Sequence, residues 1–383
     1  MNYIITGGTG FIGTHLTNLL NEVHPEAKVW NLDIVKPGTP NPVVKDYKPA
    51  VKEGEKLGST WVECDVRKPI GSLPFTPTPE DVIFNFAAVH RTPGHEDIEY
   101  FETNIRGAEN VCAFAEKYGI RQMVFTSSIA PYGAAEELKT EETLPTPNTA
   151  YGISKLVAEK IHLAWQRGGR TDITDSTDNL SPAERKERTE RGSRRRLLIV
   201  RPGVVFGKGE NGNFSRLYWG IRKHTFAYPG RKDTIKACVY VKELVRFMLW
   251  NIENGHTDST DHTDWVGDQT TPNPSYSGGE GCALYNCTFE PAYTIEQIVK
   301  AMKKVTGLTQ AVPYIPNAVI MPLATCAKMM GSPMGICPAR VKKLQISTNI
   351  CGKKMKESGY QFKWTFEEAL EDWFKDNKNL YLE

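Results

Sequence analysis

Apolar positions in the first half of the chain recur in two alternating rhythms. Tyr3 to Thr6 is a short apolar run, and Phe11, Leu16, Leu19 and Leu20 then repeat at helical spacing. This predicts a strand followed by a helix over about 10–23. Further strands are predicted at 29–35, 61–66, 82–88, 122–127 and 197–202, with helices at 96–117 and 150–166 between them. Strands that alternate with helices build right-handed βαβ units, and so a parallel sheet covered on both faces. The expected class is α/β, a doubly wound parallel sheet with a smaller, mostly helical C-terminal region. Helical signals in that region fall at 213–223, 242–253, 294–306 and 365–376, the last with Thr365 as cap and Glu368 at the capping-box position.

Two segments break the rhythm. Residues 167–196 and 255–281 contain few apolar side chains and read as solvated insertions. The expected division is 1–207 with the first insertion and 208–383 with the second, interleaving of elements being allowed. With 40% apolar residues in 383, the chain has enough to bury a core, and 47 basic against 45 acidic residues give no reason to expect a nucleic acid partner. The most apolar C-terminal stretch, Ala318 to Met330, is short and interrupted by Pro322 and Lys328, so no membrane partner is expected. The start of the chain lacks the basic and apolar regions of a signal peptide. The eight cysteines form no CxxC pair and no zinc spacing. They read as reduced thiols of a cytoplasmic protein, and no metal is expected.

Candidate chemistry begins at the first strand's end. Thr6-Gly7-Gly8-Thr9-Gly10-Phe11-Ile12-Gly13 follows a strand and opens a helix. Gly7 allows a tight turn, Gly10 a close backbone approach to a pyrophosphate at the positive helix end, and Gly13 close packing on the sheet. Asp33, at the end of the second strand, would accept hydrogen bonds from both ribose hydroxyls and repel a 2′-phosphate, which favours NAD over NADP despite nearby Lys36. Asp65 and Val66 end the third strand, where an adenine edge would lie. Ala87 and Ala88 end the fourth, where small side chains admit the cofactor.

A second constellation lies downstream. Tyr151 and Lys155 form YxxxK at a helix start, on one helical face. A lysine ammonium near a phenol stabilises phenolate, which makes the tyrosine a base. Thr126-Ser127-Ser128 ends the fifth strand, and a hydroxyl there can hold the oxygen whose proton is leaving.

In order, TGGTGFIG, FAA, TSSIAPYG, YGISK and RPGVVFG resemble the motifs of extended short-chain dehydrogenases/reductases of the NAD-dependent epimerase/dehydratase family. The resemblance covers 1–160 and 197–253 strongly and 284–376 more loosely. It implies a Rossmann-type NAD-binding region followed by a region for a nucleotide-sugar substrate. It also implies that Tyr132-Gly133 selects Ser128 as the catalytic hydroxyl, with Tyr151 as the base and Lys155 holding the nicotinamide ribose. Cofactor contacts are implied at Phe11, Ile12, His90 and Pro202. Asn213, Lys236 and Arg340 are implied to meet the substrate's diphosphate.

Two departures shape the expectation. Ile129-Ala130 stand where the family's 4,6-dehydratases carry Asp-Glu, and Lys236 stands where an arginine is common. The reading that follows is a nucleotide-sugar epimerase acting at C4. The alternatives are a net dehydrogenase or reductase of a sugar nucleotide or hydroxysteroid, and a non-catalytic dinucleotide-binding regulator. A homodimer through the helices at 96–117 and 150–166 is expected, because apolar residues lie on more than one face of the latter.

Overall fold

The structure is a computed structural model that describes residues 1–41, 50–52, 54–90, 95–168, 195–210, 212–254, 281–329 and 338–377. Most of both polar segments, 169–194 and 255–280, lies outside the described residues.

The chain begins with β1 (Asn2–Thr6), α1 (Phe11–Val23), β2 (Lys28–Asp33), β3 (Thr60–Glu63) and β4 (Val82–Asn85). α2 (Asp97–Tyr100) passes through a π-helical stretch, Phe101–Ile105, into α3 (Arg106–Tyr118). Next come β5 (Gln122–Thr126), β6 (Ala135–Lys139), α4 (Ala150–Gln166), β7 (Arg196–Pro202), β8 (Val204–Phe206) and α5 (Asn213–Arg222). β9 (Tyr228–Pro229), β10 (Ile235–Lys236), β11 (Cys238–Tyr240), α6 (Val241–Asn254), β12 (Cys282–Cys287) and β13 (Tyr293–Thr294) follow. The last elements are α7 (Ile295–Thr306), β14 (Tyr314–Ile315), α8 (Asn317–Met329), α9 (Pro338–Gln345), β15 (Thr348–Ile350), α10 (Lys353–Glu357) and α11 (Phe366–Asp376).

Seven strands form one sheet in the order β12–β7–β5–β4–β1–β2–β3, and β1 pairs in parallel with both β2 and β4. The reversal of strand order beside β1 makes this the doubly wound Rossmann arrangement. Its central strands are buried on both faces, as the unbroken apolar run Val82-Ile83-Phe84 requires. On one face Ile4, Leu32, Ile83, Met123 and Phe125 pack with Val111 and Phe114 of α3 and Ile161 and Trp165 of α4. β3 stops at Glu63, short of the expected Val66, because Asp65 and Arg67 fold into a turn in which the guanidinium clasps the carboxylate.

The chain divides into two compact units. One comprises 1–133, 141–202 and 244–285, and the other 134–140, 203–243 and 286–383. Segments from either side of residue 207 contribute to both units, an interleaving that the expected division allowed. The β5–α4 connection lends β6 to the second unit's sheet, β13–β10–β15–β6, while the chain returns to the first sheet to add β12 at its edge. The second unit has an aromatic core in which Phe206 stacks on Phe214 at 4.5 Å and meets Trp373 and Phe366 edge-on. The capping box at α11 forms as expected, Glu368 N–H donating to Thr365 Oγ1 at 3.3 Å and Thr365 N–H to Glu368 Oε2 at 2.8 Å. No helix among the described residues is long and apolar enough to cross a membrane.

α4 shows where its apolar residues go. Ile161, Leu163 and Trp165 are buried within this one chain, leaving Leu156, Val157 and Ala164 partly exposed and Ile153 exposed. Much of the apolar content that suggested a second copy is thus absorbed by the sheet.

α4 is also held by charge. Glu159 and Arg201 are both fully buried, and the guanidinium donates to both carboxylate oxygens, Nε to Oε1 at 2.8 Å and Nη2 to Oε2 at 2.6 Å. Removing one partner of such a pair strands a buried charge, a loss of about 3–5 kcal/mol. Arg201→Met is expected to lower stability by that amount in urea denaturation, and the Glu159→Gln/Arg201→Met double variant to recover most of it.

Candidate active site

The turn between β1 and α1 is built for close approach. Gly7 has φ +70°, and a Cβ there would lie 2.7 Å from the amide nitrogen of Ala87. A Cβ on Gly13 would lie 2.6 Å from Gly8 Cα, so only glycine lets α1 sit this near the turn. Gly10 caps α1 without a side-chain hydrogen bond, so the first amides, including those of Phe11, Ile12 and Gly13, have no side-chain cap. A helix end of this kind is an anion site. Such a cradle, which a side chain would fill, fits a dinucleotide pyrophosphate.

Asp33 is fixed beside this turn. Its carboxylate accepts from Thr9 N–H at 3.1 Å and from Val35 N–H at 3.0 Å. Burial raises its pKa, and those hydrogen bonds oppose the rise. Asp65 is held by Arg67, which pulls its pKa down. Val66 is a core residue, packed beside Gly107, and its carbonyl accepts from Asn110. Ala87 and Ala88 are partly buried past the end of β4, His90 is exposed in the loop beyond, and Pro202 is buried at the end of β7.

The end of β5 divides the two serines between two tasks. Ser127 is buried and its hydroxyl donates to Glu159 Oε1 at 2.5 Å. Ser128 Oγ accepts from Ala130 N–H at 3.1 Å, and its hydroxyl is hydrogen-bonded to the Tyr151 phenol. Tyr151 stands in the first turn of α4, whose Thr149 cap accepts from Gly152 N–H. Lys155 is buried one turn on, with Nζ 4.4 Å from the centre of the Phe125 ring.

The electrostatics differ from the simple picture of lysine lowering tyrosine. Burial pushes the Tyr151 phenol up to about 12 against the opposing bond from Ser128, with Tyr100 adding to the rise. Burial pulls Lys155 down to about 7, and the nearby Glu159 carboxylate works against that fall. Lys155 is therefore poised between charged and neutral near neutrality.

Three contributors escaped the motif reading. Asn104, buried in the π-helical stretch, donates to Ser154 Oγ at 2.9 Å and exchanges hydrogen bonds with the Val89 backbone, tying α4 to the loop after β4. π-Helical turns are uncommon and recur at functional sites, but no residue pattern announces them. Glu159 also escaped it, although it continues the Tyr151–Lys155 spacing by one further turn, and so did the buried ion pair that Arg201 of the RPGVVFG motif makes with it.

The expected substrate residues lie in the second unit. Asn213 is exposed at the first position of α5. Lys236, on β10, donates from Nζ to the Ile346 carbonyl at 2.6 Å. Arg340 falls in α9, and its side chain lies outside the described residues.

The chain resembles known proteins along its whole length. It is 25% identical over 376 residues to the N-acetyl-alpha-D-glucosaminyl-diphospho-ditrans,octacis-undecaprenol 4-epimerase of Escherichia coli O157:H7, covering 97% of this chain and 93% of that protein. It is 30% identical over 327 residues to the UDP-glucose 4-epimerase of Bacillus subtilis, covering 82% and 84% of the two chains. Among solved structures, the UDP-glucose 4-epimerase of Thermotoga maritima with UDP-glucose matches over 100% of both chains with a TM-score of 0.64 at 19% identity. The UDP-glucuronic acid 4-epimerase of Bacillus cereus with NAD matches with a TM-score of 0.63 at 17% identity, again over 100% of both chains. These two likenesses establish a shared fold. A sequence profile of the NAD dependent epimerase/dehydratase family matches residues 3–264, which contain the glycine turn, Ser128, Tyr151 and Lys155, and the chain belongs to that family.

Proposed function

We propose that the protein is an NAD-dependent epimerase that inverts C4 of a sugar carried on a diphosphate. The observation that carries this reading is the Ser128 hydroxyl bonded to the Tyr151 phenol, one helical turn from the buried Lys155. The glycine turn, the side-chain-uncapped end of α1 and the Asp33 carboxylate are the groups that would hold NAD, with Asp65, Val66, Ala87, Ala88, His90 and Pro202 along its course. NAD, when bound, supplies reversible acceptance of a hydride.

The protein's own part is a proton moved out and back. The Tyr151 oxygen takes the proton of the sugar hydroxyl and later returns it, while Ser128 Oγ holds the sugar oxygen in place. Lys155 in its charged form favours the phenolate, offsetting the rise that burial imposes on Tyr151. Because one oxygen serves both directions, no second base is needed for net isomerisation. Dehydration would need a further acid and base, and Ile129 and Ala130, which follow Ser128, offer neither side chain.

Two kinds of carrier occur among the relatives, a uridine nucleotide in the UDP-glucose 4-epimerases and an undecaprenol lipid in the Escherichia coli enzyme. Both present a sugar on a diphosphate, which Asn213, Lys236 and Arg340 would meet. Homodimerisation through α4 belongs to the same proposal, supported by the exposed Ile153 and the partly exposed Leu156.

Incubation with UDP-sugars, followed both by product analysis and by absorbance near 340 nm, where NADH absorbs, tests the reaction. Isomeric product without stoichiometric NADH is expected. NADH formed in step with product would make the enzyme a dehydrogenase. Tyr151→Phe is expected to abolish turnover while leaving NAD binding in place.

Lys155 also gives a pH signature in the cofactor-free protein. Its folded pKa, about 7, lies below its ordinary 10.5, so burial of this amine is a cost fully present below pH 7. Between those values the unfolded chain binds the extra proton, and stability rises with pH. Lys155→Met is expected to raise the melting temperature most at pH 6 and least above pH 10, while abolishing activity. An equal gain at every pH would remove the lysine's charge from the explanation.

A further inference from the structure

Phe125 is a buried residue of β5 with ionisable neighbours on its ring. The ring stacks on the His162 imidazole of α4, with centroids 4.0 Å apart and planes 17° from parallel. Lys155 Nζ lies over the same ring, 4.4 Å from its centre. Burial, with Lys155 adding to it, pulls His162 down to about 3 against the bond to Ala158, so this imidazole is neutral at working pH. Its Nδ1 donates to the Ala158 carbonyl at 2.7 Å, which leaves Nε2 to accept from Asn85 Nδ2 at 3.1 Å. Asn85 Oδ1 accepts in turn from Thr6 Oγ1 at 2.8 Å. The imidazole behind the stack is therefore fixed in place and in tautomer by groups on three elements.

The groups around Lys155 leave its charge poorly supported. The amine is buried, and no hydrogen bond reaches it among the described residues. Glu159, one turn along α4, favours its charged form, but both oxygens of that carboxylate are held by Arg201 of β7. Arg201 itself lies over the Tyr132 ring, 4.7 Å from its centre. Tyr151 is kept neutral by burial, and Tyr100 of α2, with its ring 6.0 Å away, adds to that effect. The face of an aromatic ring attracts a cation, more strongly where water is excluded. Phe125 offers such a face at the Lys155 nitrogen itself.

Resting on the proposed epimerase reading, we infer that Phe125 is a positioning residue: its ring, steadied by His162, holds Lys155 as an ammonium beside Tyr151. A charged Lys155 favours the Tyr151 phenolate, so the ring sets the pH range over which Tyr151 can take the sugar's proton. Phe125 acts on the sugar only through these two residues. Simple packing against the lysine's methylenes would not depend on the ring's electron density, whereas a hold on the ammonium does. Fluorine withdraws density from the ring face with little change of shape, and so separates the two roles.

The test places mono-, di- and trifluorinated phenylalanine at position 125 of the full chain. Phe114, a core residue of α3 whose ring neighbour is Tyr118, takes the same series as the control. In the cofactor-free protein, the Lys155 titration is followed by NMR of its side chain, assigned by its loss in Lys155→Met. Its pKa is expected to fall with each fluorine at 125, by about one pH unit with three, and to stay constant across the Phe114 series. In the NAD-loaded enzyme the basic limb of kcat for a UDP-sugar is expected to move to lower pH by the same amount, with KM for the sugar unchanged. No fall in the 125 series, or an equal fall in both series, overturns the inference and leaves the epimerase reading standing. A basic limb that stays while the NMR titration moves overturns it as well. A wild type that turns over no UDP-sugar removes the epimerase reading, and the NMR series then decides by itself whether the ring holds the ammonium.

Discussion

Glu159 is the charge around which the first unit's polar interior is arranged. Its carboxylate, with no exposed surface, is shared by both prongs of Arg201 from β7 and by the hydroxyl of Ser127 past β5. A buried carboxylate is tolerated only when its lone pairs are filled by well-placed donors. Meeting that demand pins α4 to the ends of two neighbouring strands. The same charge offsets part of the burial acting on Lys155 one turn away. Ser127 is thereby committed to structure, and Ser128, the next residue, is the one bonded to Tyr151.

Other anchors set the remaining edges of the site. Asn104 ties α4 to the loop after β4, and the π-helical stretch is what turns its side chain toward Ser154 and Val89. At the other end, Gly7 brings the β1–α1 turn against Ala87, and the Asp33 carboxylate is held by backbone amides of Thr9 and Val35. The site is thus made from polar groups whose burial is compensated pairwise, on a sheet whose stability comes from apolar strands.

That balance explains why the titration of the two central residues runs opposite to intuition. Burial alone favours neutral forms, raising Tyr151 and lowering Lys155. A tyrosine held this high is not a phenolate waiting for substrate. It becomes a base only as the charge and hydration around it change. Proximity of a lysine in the sequence says nothing about this, because the sign depends on how much water reaches each group.

The alternation of apolar runs and helical spacings, the glycine turn and the shared helical face of Tyr151 and Lys155 were legible along the chain, since each depends on near neighbours in sequence, whereas Ser128 was singled out only by the family resemblance. Gly7 and Gly13 declare a tight turn because a side chain at either would collide with the Ala87 or Gly8 backbone, and Tyr151 and Lys155 declare a face because a helix turns every 3.6 residues. The capping box of Thr365 and Glu368 was readable for the same local reason. Long-range pairing was not readable in this way. The Glu159–Arg201 contact spans 42 residues in sequence, and Ser127 meets Glu159 across 32. Nor could spacing show that β6 joins one sheet while β12 returns to the other. The apolar stretch from Ala318 to Met330 makes the same point. Its composition fits a core helix, and only the tertiary structure leaves Val319 and Leu323 facing solvent, because exposure is decided by what packs against a helix and not by the helix itself.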